Sequence, residues 1–519
     1  MQHPLSTPVS RRQTLAALGA GAATMAVAHP AAALQETPKS EAEQLLGAVA
    51  DNLLAHAPEG ATALGIDTGD RASMRGQLSD RSPAGVAALA ATLKADLARV
   101  RAVDTSRLDH AARTSLAVVD SAYSVALDGF ALPYGDVAVG GWRNTPYVVI
   151  QNVGAYLDIP RFLGSDHPLR NAADAEAYLA RLNAYPAALD GETERLKAAG
   201  AQGLIAPAFR MTPEEVHQMG LDQLAELHGR MDPILKKLGY SDGSVGARMN
   251  ALAQDPRFKF PEGDKGREEI KAYIQVWLGK IRAQLPRAFR TLVKGNVEVK
   301  RLPLAEEPGA PAAYGGAGSI DGSIPGKFWI NLRTTDLHSK YSLPDLAMHE
   351  AIPGHVWQGE YANQMPLIRS ILAFNAYSEG WALYAEQLAD ELGLYDDFEV
   401  GRLGYLQSLA FRACRLVVDT GLHAKRWTRE EGVRFFVERN GSNPLEVASE
   451  VDRYCSWAGQ ACGYKVGHSE IVRQRGRAEA ALGAKYDLRD FNNVVVEGGN
   501  VPLDVLAKNV DEYIAGAKA

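Results

Sequence analysis

Apolar residues recur every three or four positions through most of this chain, the spacing of helices that bury one face. Between Glu36 and about Arg290 the pattern predicts helices over 41–55, 83–103, 110–127, 172–199, 213–238, 245–253 and 267–288. The residues at their starts fit: Ser82 precedes Pro83, Thr212 precedes Pro213-Glu214-Glu215, and Asp264 stands ahead of the last run. Each can offer an oxygen to the unpaired N–H groups of a first turn. The texture changes near 293–332. Stretches 297–302 and 327–332 read as strands, with a glycine-rich run over 314–326 between them. That run lacks a GKS/T signature and leads into a strand, so it is no phosphate loop. From Ser342 the helical period returns, with breaks near 440–443 and 497–502. The expected fold is mainly α, with a small β-sheet preceding the helix that carries His349 and Glu350. A helical region over 34–290 and a second region over 291–519 are expected, with one shared core as the alternative.

The first 33 residues stand apart. Arg11 and Arg12 precede an apolar, Gly/Ala-rich run from Leu15 to Ala28, and Ala31-Ala32-Ala33 supplies the small residues a signal peptidase needs. A buried N-terminal helix is the other reading. Paired arginines before a moderately apolar run favour a signal peptide of twin-arginine type, cleaved at 33. Its removal takes two positive charges and no acid, moving the formal charge from −7 to about −9. An acidic balance with no cationic cluster argues against nucleic acid as a partner. No later stretch approaches ~18 uninterrupted apolar residues, so no membrane association is expected after processing. A periplasmic or secreted protein follows. Cys414, Cys455 and Cys462 are too few for a disulfide scaffold and read as buried free thiols. On one continuous helix the last two would lie ~10 Å apart and could not bridge. Oligomeric state, monomer or homodimer, stays open.

Candidate chemistry concentrates in His349-Glu-Ala-Ile-Pro-Gly-His355 and Tyr377-Ser-Glu-Gly-Trp-Ala-Leu-Tyr-Ala-Glu386. A helix delivering His-Glu, a second His, and a Glu from a following helix is how a one-zinc hydrolytic site is built. Two imidazoles and a carboxylate hold the metal and leave a position for water, and the first Glu takes that water's proton. Ser342 can cap the helix, with Pro344 in its first turn and Asp345 at its positive end. His355 is six residues beyond His349, which on an ideal helix places it ~120° away. Pro353 removes an N–H and clashes with the carbonyl of residue 349, and Gly354 follows. The helix should therefore bulge or break and let His355 swing back. The alternative is that Pro-Gly ends the helix and leaves His355 an unrelated loop residue. Glu379 is the expected third ligand. Glu386, seven residues on and ~20° away on the same face, is the expected acceptor for a ligand histidine's other N–H. Tyr377, Trp381 and Tyr384 should bury this helix.

Taken together with Gly318-Ser-Ile-Asp-Gly-Ser323, Phe328-Trp-Ile-Asn-Leu332, Gly463-Tyr-Lys-Val-Gly467, Thr145-Pro-Tyr-Val-Val149 and Tyr156-Leu-Asp-Ile-Pro160, these motifs resemble the DUF885 family. That family is a group of predicted bacterial zinc metallopeptidases of the zincin type, defined mainly by sequence. The resemblance spans most of the mature chain. It implies a helical, gluzincin-type fold with His349, His355 and Glu379 as ligands of one zinc ion, and it supplies no substrate. Ala458-Gly459-Gln460 departs from the family's usual Pro-Gly-Gln and touches no expected ligand.

The expected reaction is peptide hydrolysis, with Glu350 as the proton carrier. Tyr464 and then His468, four residues on, are candidates to donate to the oxyanion. If 327–332 were an exposed sheet edge, Trp329 and Asn331 would flank a peptide added as a strand. Arg143, Tyr147, Arg453 and Tyr454 are further candidate substrate contacts. A zinc amidohydrolase on a non-peptide amide, or a silent peptide-binding protein, are the alternatives. His217 with Glu214 is an isolated ExxH and not a di-iron site.

Overall fold

The computed structural model describes residues 40–132, 135–140, 144–145, 147–150, 153–199, 212–308 and 310–518. The expected signal over 1–33 and Arg143 lie outside them. Glu41–Ala519 form one compact unit. Leu46, Trp277 and Phe289 share a buried apolar cluster with Phe328, Trp381 and Phe491, so among the described residues no division falls near 290. No helix among them is long and apolar enough to cross a membrane.

Helices dominate. Those expected over 41–55, 110–127 and 213–238 appear as Glu41–His56, His110–Phe130 and Pro213–Lys237. Pro213–Lys237 begins with a reciprocal capping box between Thr212 and Glu215 and ends on Lys236 and Lys237, both favourable to the helix dipole. Ser82 accepts from the Gly85 N–H at 3.1 Å. Asp264 lies inside its helix, Gly263–Arg282, rather than capping it. Ala155–Ser165 is a helix that the sequence hid, because Pro160 sits within it.

At the centre runs the helix Asn375–Glu391, buried on nearly every face, with Asn375, Ser378, Glu379 and Glu386 enclosed among its apolar side chains. Its aromatic side chains are completely buried, and each polar tip is satisfied. Tyr377 Oη donates to Val495 O at 2.6 Å, Trp381 Nε1 to Pro353 O at 2.8 Å, and Tyr384 Oη to Asn492 Oδ1 at 2.9 Å. It packs most extensively on Gln460–Leu482. The two helices cross where Gly380 meets Gly467. A Cβ on Gly467 would sit 1.7 Å from the Ala376 carbonyl oxygen, so the approach demands glycine.

The sheet has three strands. Gly326–Ile330 is central, parallel to Val297–Arg301 and antiparallel to Ala313–Gly316. The expectation of an exposed edge at 327–332 is therefore overturned: that strand is paired on both sides. The edge strand Ala313–Gly316 arises inside the glycine-rich run. Phe328 and Ile330 point into the core while Lys327 and Trp329 are half-buried on the other face. The cysteines are free; Cys414 and Cys462 are buried, but Cys455 is exposed, contrary to expectation. Cys455 and Cys462 lie on separate helices.

Candidate metal centre

The helix Leu343–Glu350 carries His349 to its last turn and stops. Ser342 does not cap it; its own conformation is helical and its hydroxyl meets Ser339 Oγ at 2.7 Å. Residues 351–354 make a turn through a cis Ile352–Pro353 peptide, and a new helix, His355–Ala362, begins on the second histidine. The turn folds tightly back: a Cβ on Gly354 would lie 1.8 Å from the His349 carbonyl oxygen. Trp381, reaching from the central helix to the Pro353 carbonyl, ties it down. The chain thus breaks completely between the histidines, and yet their rings come together, 5.0 Å between centroids and nearly perpendicular.

Glu379 completes the group. Its Oε2 lies 3.4 Å from His349 Nε2 and 3.2 Å from His355 Nε2, and the three ligand atoms fall within 4.8 Å of one another. Among the described residues no other such group of three exists. Glu379 Oε2 is buried and accepts no hydrogen bond, a costly state for a carboxylate oxygen. A cation among these three atoms would remove that cost, and two imidazole nitrogens with one carboxylate oxygen suit zinc. Burial would raise the pKa of Glu379, but the adjacent His355 and His349 hold it well below the usual carboxylate range. Burial works against protonation of His349 too, but Glu379 and Glu386 raise it to about 9.

Behind His349, Glu386 takes Nδ1 at 2.7 Å. Its other oxygen accepts from Ser408 Oγ at 2.7 Å, and Arg412 Nη1 donates to that hydroxyl at 2.7 Å. Asp345 is buried beside Glu386, and burial together with that carboxylate pushes its own carboxyl far above its ordinary value. It is buried beside a second carboxylate, at the position where the sequence placed a favourable charge for the helix's positive end. Glu350, next to His349, is buried. Tyr464 lies parallel to the His349 ring at 6.4 Å.

A family model described as "Bacterial protein of unknown function (DUF885)" matches residues 58–211 and 208–510. The chain belongs to this family. The solved structure titled "putative lipoprotein from Colwellia psychrerythraea" is similar to this DUF885 chain at 29% identity and a TM-score of 0.86, covering 92% of it and 99% of the other chain. A "putative lipoprotein of unknown function" from Shewanella oneidensis is similar at 18% identity and a TM-score of 0.65, covering 91% and 99%. A third, titled as an oligoendopeptidase F from Bacillus anthracis, reaches only 0.32 at 14% identity, too distant for argument. No curated protein matches the DUF885 chain significantly.

Other expected residues of the DUF885 chain separate into two sets. His468 does not reach the triad: its Nδ1 accepts from Lys465 Nζ at 3.0 Å and its Nε2 meets Gln387 Oε1 at 2.9 Å. Asn331 is fully buried and donates to the Glu307 carbonyl at 2.8 Å, so it holds a loop rather than a peptide. Tyr454 is likewise fully buried, donating to Glu450 Oε2 at 2.8 Å. Trp329 lines a cleft of about 280 Å³ with Tyr314, Glu306 and Arg161. Tyr147 is exposed beside Thr145, which donates to the Ser456 carbonyl at 3.0 Å. Arg453 pairs with Glu450 at 2.9 Å. The sequence reading missed Arg412, Arg415, Ser408 and Glu450. Only the tertiary fold brings them to the site, and no local spacing marks them.

Proposed function

We propose that this protein is an exported zinc peptidase acting on short peptides. The observation that carries the reading is the convergence of His349, His355 and Glu379 on one point, with Glu350 adjacent in sequence to a ligand. One zinc ion held by those three side chains would polarise the scissile carbonyl and make water acidic enough to attack at neutral pH. Glu350 takes the proton from the attacking water and passes it to the departing amine. Tyr464, stacked on His349, is the proposed donor to the oxyanion. The strand Ala313–Gly316 replaces 327–332 as the peptide aligner. One of its edges is paired with Gly326–Ile330, and a Cβ on Gly315 would fall 2.0 Å from the Glu350 carbonyl oxygen. A peptide added to its other edge, which pairs with no strand among the described residues, would run near the helix that carries Glu350. Export is supported by the paired-arginine signal in the sequence and by the description of two structural relatives as lipoproteins.

The decisive experiment is a mass-spectrometric digest of a peptide library with zinc-loaded protein, a chelated control and Glu350→Gln. Cleavage by the loaded wild type alone is expected, with zinc binding retained in the variant. Zinc-independent cleavage, or none by any preparation that binds zinc, would remove the peptidase reading.

A further inference from the structure

One buried and one half-buried guanidinium group beside this site each have a shielded donor that nothing in the described chain accepts. Arg412 and Arg415 stand three residues apart on the helix Glu399–Ala424. Arg415 gives Nε to Tyr454 Oη at 2.9 Å and Nη2 to Glu450 Oε2 at 2.7 Å, but its Nη1 has no partner although the residue is only 7% exposed. Arg412 Nε is unpartnered in the same way. An unmet donor on a buried cation is expensive, and planar guanidinium forks suit carboxylates.

Arg415 shares Glu450 with Arg453, which leaves its Nη1 as the unsatisfied donor on that side chain. Arg412 gives Nη1 to Ser408 Oγ, behind Glu386. Glu446, whose charge acts on both arginines, is exposed, so solvent reaches the edge of the arginine pair.

Its position relative to the triad is set by Tyr464. The Arg415 Cζ lies 4.1 Å from the Tyr464 ring centroid and Arg412 Cζ 5.9 Å, and the same ring is stacked on His349 at 6.4 Å. Together these distances put Arg415 Cζ no more than about 10.5 Å from the His349 ring. The guanidinium–carboxylate contact takes up ~3 Å of that, and about two residues of extended chain, at ~3.3–3.6 Å each, span the rest.

We propose that Arg415 and Arg412 form a subsite for the free α-carboxylate of a peptide, so that the protein removes the last one or two residues from its substrate. This deepens the peptidase reading and rests on it. Hydrolysis there consumes one water. Its oxygen joins the new carboxylate as the C–N bond breaks, and both its protons leave on the ammonium group of the released amino acid or dipeptide.

The test compares matched peptides with zinc-loaded wild-type protein: free acid, C-terminal amide, N-acetylated free acid, and an amide carrying Glu at the last position. The free acids should be cut at the last or penultimate bond, acetylated or not. Both amides should fall by about 10- to 100-fold in kcat/KM, the loss of a charged hydrogen-bond pair. Arg415→Lys should raise KM for the free acid and shrink the preference for acid over amide, whereas a merely structural role would lower both together and leave their ratio unchanged. Equal cleavage of acid and amide, or release from the N-terminus, overturns the proposal. Cleavage of the Glu amide as fast as the free acid also overturns it, in favour of an acidic side-chain pocket. If nothing is cut, calorimetry with the same peptides separates the two readings. Binding of free acids but not amides retains the subsite and removes the peptidase, and equal or absent binding removes the subsite too.

Discussion

Glu386 Oε1 sits 2.7 Å from His349 Nδ1, which leaves Nε2 as the nitrogen turned toward Glu379 and His355. Glu386 thereby fixes both the ring's orientation and which nitrogen is free, and Ser408 holds Glu386 in turn. Glu386→Gln should weaken zinc binding about 10- to 100-fold, read by competition with a chromophoric chelator, with helical circular dichroism unchanged. Unaltered affinity would show that packing alone orients the ring.

Tyr464 meets His349 through its ring, so Tyr464→Phe keeps the stacking and removes only the hydroxyl. Zinc affinity should be unaffected while kcat falls about 10²- to 10³-fold with KM little changed. A variant that loses zinc instead would assign the tyrosine to site architecture.

Trp381 is completely buried and bonds the Pro353 carbonyl. Trp381→Phe should cost roughly 1–3 kcal/mol, because the deleted N–H leaves that carbonyl unmet in the interior. The effect should appear as a lower melting temperature, and zinc affinity should fall with it, since the turn sets His355. Lowered stability with unchanged affinity would uncouple the turn from the ligand.

Lys465 is buried, and burial lowers its ammonium from the ordinary 10.5 to about 8. Its hydrogen-bond partner is His468, itself kept neutral by burial and by that lysine. The folded chain holds this proton more weakly than the unfolded chain. The unfolded state therefore binds more protons between about pH 8 and 10.5, and stability rises with pH across that window. Below pH 8 the penalty is complete, on the order of 3 kcal/mol. Lys465→Met should be more stable than wild type near neutrality, and the difference should shrink toward pH 10 in urea unfolding. A difference constant with pH would refute the assignment.

The sequence made His349, His355 and Glu379 visible because their chemistry is unusual at that spacing and their helices carry strong periodic signals. It could not show how the helix ends, since Pro353 and Gly354 permit either a bulge or a break. The edge strand Ala313–Gly316 was invisible because Tyr314-Gly-Gly has no alternation; pairing with Gly326–Ile330 supplies its order. Asn331 and His468 looked available because their partners, Glu307 and Gln387, are remote in sequence; Tyr454 meets Glu450 one helical turn away, a local pairing that its sequence reading passed over. Arg415 was overlooked for the mirror-image reason: nothing in sequence tells a paired guanidinium from an unpaired one.

The central helix Asn375–Glu391 is wrapped by the rest of the unit and carries both Glu379 and Glu386. The three donor atoms come from separate helices held together by packing around this one, so the proposed ion would bind only the folded unit. By mass action, saturating cation should then raise the melting point of the whole molecule, by an increment that grows with each tenfold excess over Kd.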